Sequence, residues 1–315
     1  MDVLKEFADP GAQDRAKPFW AWNGKLKKEE LLRQIDNMKE MGFGGFFMHS
    51  RTGLATEYLG EEWFSLINDC ADYAKKLGME AWLYDEDRWP SGTAGGMVTK
   101  HPEYRMRHIV MERVPKNSID FSDPDLLGAF EAREQDGLLV DYRRVGTVSD
   151  TEGDTLLRFR VEEMEKGSFY NGYTYVDTLN REATDYFLKL THEAYVSRCG
   201  DRIGDGIRGI FTDEPHRGQM MSSFGQGNGS GEYQVPFTPA LPQKFQEKYG
   251  YDLLQRLPEL FCRRTERGIS PVKWQFVELV QELFLENFAK PIDRWCREHH
   301  LILSGHILHE NNLTA

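Results

Sequence analysis

Residues Ile207-Arg208-Gly209-Ile210-Phe211-Thr212-Asp213-Glu214-Pro215-His216 run from an apolar stretch into two adjacent carboxylates. A short apolar run that stops at acids reads as a buried strand carrying a carboxyl group to its C-terminal tip. Catalytic groups of α/β barrels stand at such tips, because the strand is rigid and its end opens into a pocket. Pro215 has no backbone N–H, so the strand ladder must stop there and Glu214 is the last firmly held side chain. The alternative is an ordinary surface strand end with solvated acids. If the strand stays extended to its end, Asp213 points to the face opposite Glu214 and serves the sheet or a neighbouring element.

Further polar groups terminate other apolar runs. Asn23 closes PFWAWN, His49 and Arg51 close FGGFFMHS, and Asp85 with Glu86 close MEAWLY. On a parallel-barrel model one rim collects Trp22, Asn23, His49, Arg51, Asp85, Glu86, Asp177, Asn180, Asp213, Glu214, His216, His306 and Glu310. Trp82, Trp89 and Pro90 flank the acidic turn, which favours a ligand-contacting loop there over a merely solvated one. Several carboxyls around one pocket suit acid-catalysed cleavage at an acetal carbon. One group stays protonated to donate to the leaving oxygen, and another stays ionised to activate water or stabilise the cation. Repulsion and burial split their proton affinities. His49 and His306 read equally as hydrogen-bonded core histidines or ligand contacts, and Trp20 with Trp22 as core packing or sugar stacking. His299-His300, at a helix end, reads as surface.

These groups need positioning elements, and the sequence alternates short apolar runs with amphipathic ones from Pro18 onward. Lys27–Met41 carries a helical stripe through Leu31, Leu32, Ile35, Met38 and Met41, closed by Gly42. Glu61–Leu77 carries a second stripe, closed by Gly78. Three βα units with short connections predict a parallel sheet with helical crossovers. Between about Lys100 and Gly167 the period changes to two over Arg107–Val114, Gly137–Val145 and Asp154–Glu162, which predicts a small antiparallel insertion. The α/β pattern resumes with a fourth strand at Tyr173–Thr178, a helix at Glu182–Cys199 and a fifth strand at Ile207–Thr212. Residues 216–237 read as a long mobile loop. A helix near Pro239–Tyr249, an irregular stretch, a long helix over Gln275–His299 kinked near Pro291 and a sixth strand over Leu301–Leu308 complete the pattern. The fold expected is an α/β, TIM-like (β/α) barrel region over residues 1–315 with an inserted β subdomain at about 100–167. Six strands leave it two short of eight, so the alternative is an open α/β sheet. Unpaired first and last strands predict self-association through the sheet edges, or their cover by another chain or a helix.

Composition bounds the rest. The 315 residues are 29% charged and 12% aromatic, with a net charge of −12 and no basic block. That excludes an electrostatic footprint for nucleic acid or an anionic membrane, and it permits a sugar ligand. Cys70, Cys199, Cys262 and Cys296 are widely spaced, arguing against a zinc or disulfide framework. No segment reaches the ~20 apolar residues of a membrane span, and no signal-peptide run is visible, so a cytoplasmic protein is expected.

The segments PFWAWNGKLKKEELLRQIDNMKEMGFGGFFMHSRTGL, EEWF, GMEAWLYDEDRWPSGTAGG, GIFTDEPH and SGHILHE, in that order, resemble the catalytic barrel of large bacterial glycoside hydrolases related to family 106 α-L-rhamnosidases. The resemblance runs from about Pro18 to Glu310 and is weakest over 100–167. It implies a TIM-like barrel, hydrolysis of a plant or microbial glycoside by two carboxyls, no required cofactor, and a calcium ion as an option. Under it Glu214 is the proton donor and Glu310 the second carboxylate, as base or substrate ligand. The substrate contacts are Trp22, Asn23, His49, Arg51, Asp85, Glu86, Trp89, Asp177, His216 and His306. Such proteins are longer, so a non-catalytic carbohydrate-binding barrel, or another barrel hydrolase or isomerase, stands beside this reading.

Overall fold

The computed structural model describes residues 3–218, 233–265 and 269–308. After a short helix α1 (Val3–Ala8), the chain forms β1 (Phe19–Trp22), α2 (Lys28–Glu40), β2 (Gly45–Ser50), α3 (Glu61–Lys76) and β3 (Glu80–Tyr84). Leu31, Ile35 and Met38 bury the apolar stripe of α2, and Trp63, Ile67, Cys70 and Ala74 that of α3. Both helices end where the sequence places a glycine: Gly42 (φ +84°) and Gly78 (φ +65°) take the left-handed conformation that turns the chain into the next strand.

The parallel sheet has the order β1-β2-β3-β8-β10, where β8 is Ile207–Asp213 and β10 Ile302–His306. It curls strongly. Strands spaced ~4.8 Å apart would set β1 and β8 roughly 14 Å apart in a flat sheet, yet the rings of Phe19 and Phe211 meet at 4.7 Å. Register assigns one level after another to the concave face: Phe19 beside Phe47, Phe47 beside Trp82, Trp82 beside Gly209, and His306 beside Asp213. A Cβ on Gly209 would lie 2.2 Å from the Trp82 ring, so only glycine lets that indole cross the floor. The opposite, convex face packs on the helices, with Trp22 against Trp63 at 5.2 Å.

Among the described residues, five parallel strands stand where six were expected. Tyr173–Thr178 makes only isolated bridges, Arg105 to Val176 and Gly167 to Tyr173. Its backbone bonds with residues 104–106 (Met106 N–H to Tyr175 O, Asp177 N–H to Tyr104 O), and β8 takes the place beside β3. The second sheet is antiparallel, in the order β6-β5-β7-β4-β9. It comprises β4 (Arg107–Pro115), β5 (Leu126–Gln135), β6 (Leu138–Val145), β7 (Thr155–Glu163) and β9 (Tyr233–Phe237). Two of these were missed: β5, whose pattern is interrupted by Gly128 and a register shift, and β9, which lies in the stretch read as a loop and pairs with β4.

The remaining helices are α4 (Arg181–Leu190), α5 (His192–Cys199), α6 (Leu241–Tyr249), α7 (Leu257–Phe261), α8 (Pro271–Phe284) and α9 (Lys290–Glu298). The single helix expected over 182–199 divides at Thr191, whose hydroxyl donates to the Phe187 carbonyl at 2.9 Å and competes with the helical ladder. Between α8 and α9 a π-helical turn, Leu285–Ala289, absorbs the donor that Pro291 lacks. Phe159 of β7 packs on Phe261 of α7 at 5.5 Å, and one apolar core runs beneath both sheets. All four cysteines are buried and free. No helix of the described residues is long and apolar enough to cross a membrane.

Candidate active site

The tip of β8 opens into a pocket of about 420 Å³ lined by Phe19, His49, Arg51, Thr52, Arg88, Trp89, Phe169, Asp213, Glu214 and His306. Asp213 faces into the curl because it alternates with Phe211 on the concave face. Its carboxylate accepts from Tyr84 Oη at 2.8 Å and pairs with His306 Nε2 at 3.0 Å, while His49 Nε2 stands at 3.7 Å. Burial opposes its charge, but the hydrogen bonds from His49, Tyr84 and His306 together outweigh that and hold the carboxyl below the usual aspartate range. The site therefore contains one carboxylate fixed in its ionised form.

Glu214 does not follow the strand. Its φ of +46° turns the backbone left-handed, so consecutive residues Asp213 and Glu214 open onto the same pocket. This corrects the expectation that they diverge: that expectation required an extended chain through Glu214. The Glu214 N–H bonds to the His306 carbonyl at 3.0 Å, which ties the turn to β10. The indole N–H of Trp89 donates to Glu214 Oε2 at 2.5 Å, and Oε1 lies 3.7 Å from His306 Nε2. One carboxyl oxygen is thus oriented by the protein.

Trp89 and Arg88 are held there by the loop after β3, which is folded around the side chain of Glu86. The Glu86 carboxylate accepts backbone N–H groups of Asp87, Gly92, Thr93, Ala94 and Gly95, plus the Thr93 hydroxyl. Burial pushes its pKa up to about 7 against those donors. Asp85 is also fully buried; its carboxyl takes the Ser91 hydroxyl at 2.5 Å, and burial raises it well above the ordinary range. Ser91 Oγ in turn accepts the Asp213 N–H at 2.8 Å, linking this loop to β8. Ser50 Oγ donates to the Asp87 carbonyl at 2.5 Å and fastens the loop to the tip of β2.

The structure thus brings together His49, Arg51, Trp89, Glu214 and His306 of the expected residues, and it places others elsewhere. Trp22 is 1% exposed and packs between Trp20 and Trp63 on the helix side, because its strand parity is that of Trp20, not Phe19. Asp85 and Glu86 point inward and build the loop rather than line the pocket. Asp177 is buried in a turn, accepting the Leu179 N–H at 3.1 Å, and burial pushes its pKa up to about 7. Asn23 is exposed outside the pocket lining, and His216 stacks on Tyr175 at 4.2 Å. Glu310 lies outside the described residues. Sequence reading missed Phe19, Thr52, Arg88 and Phe169 as lining residues; for Phe19 the parity opposite to Trp20 and Trp22 was the available signal. Phe169 meets Trp89 edge-on at 5.7 Å.

Among the described residues, the carboxylates expected to hold a calcium ion, Asp85 and Asp87, already have hydrogen-bond partners. Asp85 is engaged by Ser91, and the Asp87 carboxylate is engaged by Arg88 at 3.1 Å and Asn171 at 3.3 Å. Among the described residues no cluster of three or more His, Cys, Asp or Glu side chains could hold a metal ion.

No family model matches the chain. It is similar to a putative beta-glucuronidase of Formosa agariphila, 26% identical over 365 aligned positions covering 95% of this chain and 30% of that protein. Its fold is similar to that of a rhamnosidase from Novosphingobium sp. PP1Y, with a TM-score of 0.62 and 14% identity over 99% of this chain and 48% of the other. The chain therefore spans less than half the length of either protein, and both of those proteins carry glycosidase names.

Proposed function

We propose that the pocket is a glycoside hydrolase active site, with Glu214 as the acid that protonates the leaving oxygen. The observation that carries this reading is the pairing of two unlike carboxyls at one strand tip. Asp213 is held below the usual aspartate range, with hydrogen bonds from Tyr84 and His306 and the His49 ring nearby, and Glu214, which lines the same cavity, is oriented by the Trp89 indole. In this role Asp213 stabilises the positive charge that builds on the sugar ring as the bond breaks, and Glu214 transfers the proton. Trp89 and Phe169 offer aromatic surface to a sugar's apolar face. The curled sheet is read as part of a (β/α) barrel. The ordered motifs support a relation to family 106 α-L-rhamnosidases, and the two glycosidase-named relatives support the class without agreeing on the sugar.

The test is Glu214→Gln assayed on a panel of chromogenic glycosides, with calorimetry on the same ligands. Turnover is expected to fall by roughly 10²–10⁴-fold, the usual contribution of a positioned general acid, while ligand binding persists. Wild-type turnover in the mutant would remove the assignment. Binding without product by the wild-type chain would favour a non-catalytic carbohydrate-binding barrel instead.

A further inference from the structure

The pocket holds two arginines that, among the described residues, form no ion pair with its two carboxylates, Asp213 and Glu214. Two guanidinium groups, Arg51 and Arg88, line it, in a chain whose net charge is −12. They belong to different strand tips, one residue past β2 and four past β3. The Ser50 hydroxyl to Asp87 carbonyl bond of 2.5 Å joins the two residues that immediately precede them. The two residues are therefore carried into one cavity by segments that are bonded to each other. Arg88 is partly balanced, its Nε 3.1 Å from Asp87 Oδ2. Arg51 is exposed, and among the described residues no carboxylate pairs with it. Neither Asp213 nor Glu214 answers these charges, since Asp213 is committed to Tyr84 and His306 and Glu214 is bonded by Trp89.

We infer that Arg51, seconded by Arg88, binds an anionic group of the sugar substrate, a carboxylate or a sulfate, so that the pocket selects acidic over neutral glycans. The inference rests on the glycosidase reading for the ligand being a sugar, but its own content is the charge. A guanidinium matches a carboxylate or sulfate through two parallel N–H···O bonds, which a hydroxymethyl group cannot reproduce. An acidic glycan approaching a chain of net charge −12 meets long-range repulsion, and local positive charge at the binding site offsets it. Thr52, in the same cavity, supplies a neutral hydroxyl for the rest of the ring.

The experiment is calorimetric titration of the chain with glucuronate, galacturonate, mannuronate and iduronate, each against its neutral parent hexose, and with hexose 6-sulfates. The same titrations are run on Arg51→Gln and Arg51→Lys. The expected result is that at least one acid binds about tenfold or more tightly than its parent. Arg51→Gln is expected to bring that ratio close to one, Arg51→Lys to restore part of it, and added salt to weaken only the acidic ligand. Preference for a uronate over a sulfate, or the reverse, tells which anion is read. No acid bound better than its parent, or a preference untouched in Arg51→Gln, overturns the inference. Arg51 is exposed, so its replacement leaves the core intact, and circular dichroism of the variants confirms this. Hydrolysis of neutral glycosides with no acid preference would overturn the inference alone. Acid-selective binding with no product from any glycoside would support it and overturn the hydrolytic reading.

Discussion

Glu214 adopts φ +46° although it precedes Pro215, a position that biases the residue before it toward extended backbone. A non-glycine residue held left-handed costs about 1–2 kcal/mol, and here the bond from its N–H to the His306 carbonyl and the Trp89 indole hold it in place. Such single-residue conformations leave no trace in hydrophobic periodicity. That is why Asp213 was expected to turn away from the pocket, and why the sequence showed the importance of the tip but not the partnership. Asp213 itself gives a testable pH dependence. Its pKa is lower folded than unfolded, so its contribution to stability is present above the ordinary carboxylate range and is lost as pH falls through the lowered value. Thermal unfolding from neutral pH down through that range should show the loss in the wild type. Asp213→Asn should be less stable at neutral pH and flatter in acid; parallel curves for the two proteins would contradict the assignment.

At the scale of elements, the loop after β3 carries the most information. Asp85-Glu86-Asp87 was read as an acidic rim, because the sequence shows charge but not which way a turn faces. The glycines that follow, Gly92, Gly95 and Gly96, all take positive φ, and Gly92 and Gly95 turn their N–H groups onto the Glu86 carboxylate. Every group meeting the Glu86 oxygens is a donor, so Glu86→Gln would set an amide NH₂ against backbone N–H groups. We expect that substitution to destabilise the chain by about 1–3 kcal/mol, the cost of buried donors left unpaired, read by urea unfolding. An unchanged midpoint would show that the loop is held by other means. The βα units were legible, because a buried strand followed by a 3.6-residue stripe and a terminal glycine is a local pattern. The segment 173–178 was not, since an apolar run does not say which neighbour its backbone will bond. Strand β9 was hidden for the same reason, pairing with β4 more than 100 residues away.

For the whole molecule, the curl of the parallel sheet explains how side chains from β1, β2, β8 and β10 meet in one cavity, a convergence that no single segment encodes. It also leaves β1 and β10 with one strand neighbour each among the described residues. Phe19 and Ile302 on these strands are about half exposed, at 50% and 52%. Free strand edges beside apolar side chains are templates for pairing, so the chain is expected to associate reversibly, with a mass in light scattering that rises with concentration. A constant monomer mass would show the edges covered within the chain.

The Glu86 knot has a consequence for how this scaffold could change over generations. Its form is written in one carboxylate and a run of peptide N–H groups, not in the side chains of Arg88 and Trp89 that face the cavity. Arg88 is therefore free to vary without the loop having to be reinvented, whereas Trp89 is held by its bond to Glu214. A lineage built on this frame could exchange the ligand it recognises while inheriting, unaltered, the architecture that presents it.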